Sequence, residues 1–71
     1  RPRFREYVVR EHVPSYRWGG RVVVGATLPV EGVTYYEVPA EYGVTGYRYT
    51  VINDRPVLVE PRSHRIVEVI D

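Results

Sequence analysis

The feature that most constrains this chain is its last third, Tyr47 to Ile70, reading YRYTVINDRPVLVEPRSHRIVEVI. Two β-rich runs flank Asn53-Asp54, and Asn and Asp both tolerate the positive φ that a type I′ hairpin turn demands. With those two residues as the loop, Ile52 faces Arg55. The pairs outward are Val51–Pro56, Thr50–Val57, Tyr49–Leu58, Arg48–Val59 and Tyr47–Glu60. Gly suits the second turn position better than Asp54, so the turn carries a fraction of the roughly 1 kcal/mol charged for a non-Gly residue in the left-handed region. Pro56 sits at the start of its strand, where a missing N–H costs least.

A second turn is expected at Pro61-Arg62-Ser63-His64, with Pro61 presetting φ for the first central position. Glu60 then faces Arg65, and Val59–Ile66, Leu58–Val67 and Val57–Glu68 follow. Alternation divides this meander into two faces. One carries Tyr47, Tyr49, Val51, Leu58, Val67 and Val69. The other carries Arg48, Thr50, Ile52, Val57, Val59, Ile66, Glu68 and Ile70. On the second face Val57, Val59 and Ile66 form an apolar strip between Arg48 and Glu68, to be covered by the N-terminal half or by a partner. These five residues are the candidate interaction surface.

The 71 residues are expected to form one domain. A chain of this size buries only about 60% of the surface its unfolded form exposes, so modest stability is expected. There is no cysteine, and hence no disulfide to staple the fold. Fifteen Val and seven Tyr argue for sheet and against disorder. The net charge of +1 is too small to imply nucleic acid as partner. No apolar run approaches the roughly 20 residues needed to cross a bilayer, so no membrane insertion is expected. All ten basic residues are Arg, which suggests a GC-rich bacterial genome. The chain begins at Arg1 and holds no Met, so it is expected to be a domain excised from a longer protein.

Upstream of the meander, residues 1–3 read as a frayed lead-in. Phe4 to Val13, FREYVVREHV, supports two periods: Phe4, Tyr7, Val8 and Glu11 at helical spacing, or Tyr7, Val9, Glu11 and Val13 in alternation. Val-Val with Tyr favours strand, which is the expectation adopted, and Pro14 ends the element either way. Pro14 to Gly20 is a turn or loop. Arg21 to Leu28 reads as a strand in which Gly25 marks a bulge or bend. Pro29 to Gly32 is a turn, and Val33 to Val38 is a further strand. Pro39 to Gly43, PAEYG, reads as one helical turn, with Pro at the start and Gly just past the end.

Taken together, FREYVVREHVPSY, VVVGATLP, YYEVPAEYGVTGYRYTVIN and VLVEPRSHRIVEVI resemble a bacterial family of unknown function, domain-of-unknown-function family 1236. The likeness covers nearly the whole chain. It implies a small exported protein of alpha-proteobacterial type with a signal peptide, hence a periplasmic or secreted location. The family carries Asn-Gly where this chain has Asn53-Asp54, and it has no catalytic residues to transfer. The closing meander is also similar to that of periplasmic proteins of the nickel/cobalt-homeostasis type.

No constellation of residues supports catalysis. Ser63-His64 are sequence neighbours in a tight turn and lack nucleophile–base geometry. His12 and His64 are far apart, and with Glu11 or Glu60 they form no metal-ligand spacing. The carboxylates read as cross-strand partners of Arg, Glu60 with Arg65 and Glu68 with Arg48. Arg1, Arg3, Phe4, Arg5, Tyr7, Tyr16, Arg17 and Trp18 interleave basic and aromatic groups, yet nine acids offset them. Tyr16, Trp18, Tyr35 and Tyr36 are the candidate aromatic platform for a polysaccharide. The expected fold is mainly β (α+β if 4–13 is helical), with five to six short strands. The expected function is that of a non-enzymatic, exported interaction or envelope-associated module without cofactor, engaging another protein or itself. The alternatives are a polysaccharide or small-ligand binder and a weak metal-binding periplasmic module.

Overall fold

The structure, a computed structural model, describes residues 2–70. Arg1, from the expected lead-in and basic cluster, and Asp71 lie outside the described residues. Among these, the chain runs α1 (Pro2–Arg10), β1 (Tyr36–Glu37), a 3-10 turn (Ala40–Tyr42), β2 (Arg48–Ile52), β3 (Arg55–Val59) and β4 (Ile66–Val69). The four strands form one antiparallel sheet in the order β1-β2-β3-β4. The mainly β expectation holds, with four strands in place of five to six.

The first hairpin has the register read from the sequence, Ile52 opposite Arg55 through to Arg48 opposite Val59. Asn53 and Asp54 take φ of 49° and 66°, the two consecutive left-handed residues of a type I′ turn. The turn also fastens the N-terminal half. The Asn53 side chain accepts from the Trp18 N–H at 2.9 Å and donates to the Trp18 carbonyl at 2.8 Å. The Asp54 N–H donates to Ser15 Oγ, and Tyr16 bridges Ile52 in parallel. Arg17 pairs with the Asp54 carboxylate at 3.1 Å.

The second hairpin departs from the expected register by one residue. Ile66 faces Val59 as read, but Glu68 then faces Leu58 and Val69 faces Val57. Val67 is the extra residue of a β-bulge, and beyond a bulge every side chain changes face. Val69 therefore packs on the side assigned to Ile70, and Ile70 on the side assigned to Val69. The bulge also moves Glu68 away from Arg48, whose cross-strand neighbours are Val59 and Glu37.

Each face of the sheet is buried. On one, Tyr49, Val51, Leu58 and Ile70 meet Phe4 and Val8 of α1 and Val44. On the other, Ile52, Val57, Val59 and Ile66 meet Leu28 and Val33, with Tyr16, Trp18, Val22, Ala26 and Tyr35 packed around them. Residues 2–10 form a helix where a strand was expected. Phe4 and Val8, four apart, are 2% and 3% exposed, and burying each contributes about 1.5–3 kcal/mol. In a strand their even spacing would also share a side, but the alternate side would carry Arg3, Arg5 and Tyr7. The helix instead lays Tyr7 beside Phe4, with Tyr42 and Tyr49 completing the aromatic contacts. Pro2 and Arg3, read as lead-in, belong to this helix.

The strand expected over 21–28 is reduced to a bridge between Thr27 and Arg65. Leu28 N–H donates to the His64 carbonyl, and Ile66 exchanges its two bonds with different residues, donating to Ala26 and accepting from Gly25. Two residues against one is a bulge, and Gly25 at φ 96° supplies the left-handed residue it needs. The segment leaves β4 there, with Val23 and Val24 47% and 65% exposed. The strand expected over 33–38 shortens to Tyr36–Glu37. The helical turn over 39–43 is present as the 3-10 turn, closed by Gly43 at φ 71°.

Candidate functional site

The apolar strip expected as an interaction surface is interior. Val57 and Val59 are 0% exposed and Ile66 1%, so the covering group is the N-terminal half and no surface is left there for a partner. Arg48 is exposed at the sheet margin, while Glu68 sits beyond the bulge. The five residues do not form one surface.

The aromatic platform also divides. Tyr35 and Tyr36 are successive and point to opposite faces of the sheet. Tyr36 stacks on Tyr49 at 5.4 Å in the helix-side core. Tyr35 joins Tyr16 and Trp18 around the other core, where it stacks on His64 at 4.3 Å and donates its hydroxyl to the Pro29 carbonyl. All four rings are half-buried structural groups. Burial raises the Tyr35 phenol above its ordinary pKa, with Tyr16 adding to the shift. Tyr49 is raised further, first by burial, then by Tyr7, to which its neutral hydroxyl donates a hydrogen bond, and by Glu11 and Tyr36.

The second turn accounts for Ser63 and His64. His64 N–H donates to the Glu60 carbonyl, Ser63 Oγ donates to Glu60 Oε1 at 2.9 Å, and the Arg65 N–H donates to Ser63 Oγ. His64, at the end of the turn, holds φ 60°. Its Nδ1 is buried without a hydrogen-bond partner, and its ring faces Tyr35, away from any nucleophile role for Ser63. His12, at φ 52°, is exposed just past α1. Among the described residues no cluster of three or more His, Cys, Asp or Glu could hold a metal ion.

What the fold does present is Tyr47. Of the nine aromatic residues it is the one exposed ring, at 42%. It stands on the loop entering β2, between two surface clefts that share Thr45 and Tyr47. One, of about 520 Å³, extends to Glu60, Pro61, Arg62 and Ser63. The other, of about 420 Å³, runs over Leu58 to Val67 and Glu68. Together they make a shallow trough with an aromatic ridge and a mixed lining of hydroxyls, carboxylates and one guanidinium. Reading the sequence missed it because Tyr47 was assigned by alternation to a buried face. The Gly46 just before it, at φ 81°, is the signal that the chain bends there before β2 begins.

Fold and surface together describe a small β-dominated module, an open four-stranded meander with a helix on one face and an irregular wrap on the other. No helix among the described residues is long and apolar enough to cross a membrane. The chain belongs to the family described as domain of unknown function DUF1236, whose model matches residues 7–71. No curated protein and no solved structure matches it.

Proposed function

We propose that this domain is a non-enzymatic binding module of an exported protein, with the trough around Tyr47 as its binding surface. The observation that carries this reading is the placement of Tyr47. Eight of nine aromatic rings are spent on the two cores, and the ninth is held out between two clefts. Exposed aromatic rings beside polar groups are a common means of contact because they bury large area with few torsions to fix. The turn beneath is rigid, since Glu60, Ser63 and Arg65 are tied to one another. The test is retention on isolated cell-envelope material. Tyr47→Ala and Arg62→Ala change exposed side chains, so both should keep the native circular dichroism spectrum and lose retention. Native retention by both variants would refute the assignment.

A second reading, protein interaction by strand addition, is favoured by the bulge at Gly25. There the covering segment leaves β4 in a turn closed by the Ala26 N–H on the Val23 carbonyl, with Val23 and Val24 exposed, and beyond it an extended chain could add to β4. Sedimentation should then show association that Val24→Lys abolishes. A monomer at all concentrations, with no protein partner lost on the same substitution, rejects this reading.

A further inference from the structure

We infer that the ligand of the Tyr47 trough is a linear glycan, an inference that rests on the trough being the binding surface. The lining fits a molecule with an apolar face and many hydroxyls. The exposed Tyr47 ring offers a flat apolar patch for the C–H face of a pyranose. Around it Thr45 and Ser63 supply hydroxyls, Glu60 and Glu68 supply acceptors, and Arg62 supplies donors. A sugar hydroxyl both donates and accepts, so this mixed set can satisfy it, whereas a lining of one sign could not. With Glu60 beside Arg62, the lining has no surplus of positive charge for a phosphorylated or nucleic-acid ligand.

The shape sets the length of the ligand. Each cleft lies within the size range of ordinary ligand pockets, about 300–1,000 Å³, and Tyr47 is the wall between them. A monosaccharide would use one side only. A chain of several sugars can stack one unit on the ring and extend into both clefts, so binding strengthens with chain length until the trough is filled. The trough is open, and the pre-set part is the Glu60–Ser63 pair, whose hydrogen bond at 2.9 Å fixes one carboxylate oxygen before the ligand arrives. An extended peptide is the competing occupant. The apolar floor at Leu58 is itself 2% exposed, so the trough lacks the deep apolar pocket that anchors a peptide side chain.

The experiment titrates the labelled domain with cellohexaose, chitohexaose, their disaccharides and a capped hexapeptide of alternating Thr and Val, following backbone amide shifts. The expected result is saturable shifts at 45–47 and 60–63 with at least one hexasaccharide, weaker with its disaccharide. Tyr47→Ala should weaken binding about tenfold, the scale of one lost stacking contact, and Tyr47→Phe should retain it. Shifts with the peptide and none with either hexasaccharide overturn the glycan assignment while leaving the trough as a binding surface. Hexasaccharide shifts located elsewhere, or unchanged in Tyr47→Ala, overturn it as well. Absence of any shift, together with native retention on envelope material by the Tyr47→Ala variant, removes both readings.

Discussion

Asn53 performs two tasks at one position, and replacing it separates them. Its backbone sits at φ 49°, where a residue with a β-carbon other than Asn or Asp loses about 1 kcal/mol. Its side chain makes two hydrogen bonds to the Trp18 backbone, at 2.9 and 2.8 Å, each contributing about 1 kcal/mol net. Asn53→Ala loses both contributions, about 3 kcal/mol in all. Asn53→Gly keeps the turn conformation and loses the clamp, about 2 kcal/mol. A domain of this length has roughly 4–11 kcal/mol to lose, so either variant removes a large share. At about 4–8 °C per kcal/mol, the midpoint for Asn53→Gly falls by roughly 8–16 °C. Urea unfolding followed by the emission of Trp18, the single tryptophan, and by circular dichroism measures it. Trp18 reports the clamp directly, and the sheet signal reports the turn. A native midpoint for Asn53→Gly would show that the clamp contributes nothing. Equal losses for Ala and Gly would show that the turn conformation carries no cost.

The other predictions concern the turn, the covered strip and the tyrosine cluster. Asp54→Gly relieves a residue at φ 66° and gives up an ion pair whose side chains are 75% and 66% exposed, worth only tenths of a kcal/mol. A gain of about 0.5 kcal/mol in urea unfolding is expected, and a loss would mean that the Arg17 contact outweighs the turn. Val57→Arg places a charge at a position with 0% exposure, so it should abolish native circular dichroism and amide dispersion. A folded Val57→Arg variant would contradict the burial of the strip. Because the Tyr49 pKa is raised in the folded state, its ionisation favours the unfolded chain. Stability is at its full value below the ordinary tyrosine pKa of about 10 and falls as pH rises above it toward the folded value. Urea midpoints across that range should fall less steeply in Tyr49→Phe than in the native chain, and an identical slope would assign the alkaline loss to other groups.

The first hairpin was legible from Ile52–Arg55 out to Arg48–Val59, though not to the expected Tyr47–Glu60 pair, because everything that sets that register is local. Asn53-Asp54 permit the turn, a two-residue loop fixes the pairing, and alternation then assigns each side chain. The 3-10 turn between Pro39 and Gly43 was legible for the same reason. The second hairpin was legible only as far as Val59–Ile66. No residue in IVEV announces that Val67 will be extra. The bulge allows Val69 to join the Ile52 core while Ile70 reaches the helix side, a preference that exists only once both faces have their covers. The candidate site was read least well. Tyr16, Trp18, Tyr35 and Tyr36 resembled a platform in sequence, and the fold spent all four on packing.

The sequence by itself determined the sheet at the centre: its turns, the order of its last three strands, and an apolar strip too large to leave in water. Local conformational preference and side-chain alternation act within a few residues, and they suffice for that much. The tertiary structure alone decided what covers the strip and what remains outside. FREYVVREH can serve as helix or strand, and it became a helix because the Tyr49 face offered a surface that Phe4, Tyr7 and Val8 fill together. RVVV favours a strand, yet the bulge at Gly25 turns it away from β4 while Leu28 and Val33 close over Val57, Val59 and Ile66. Those choices compare whole packings, which no short stretch of the chain encodes. They leave Tyr47 as the exposed ring between its two clefts.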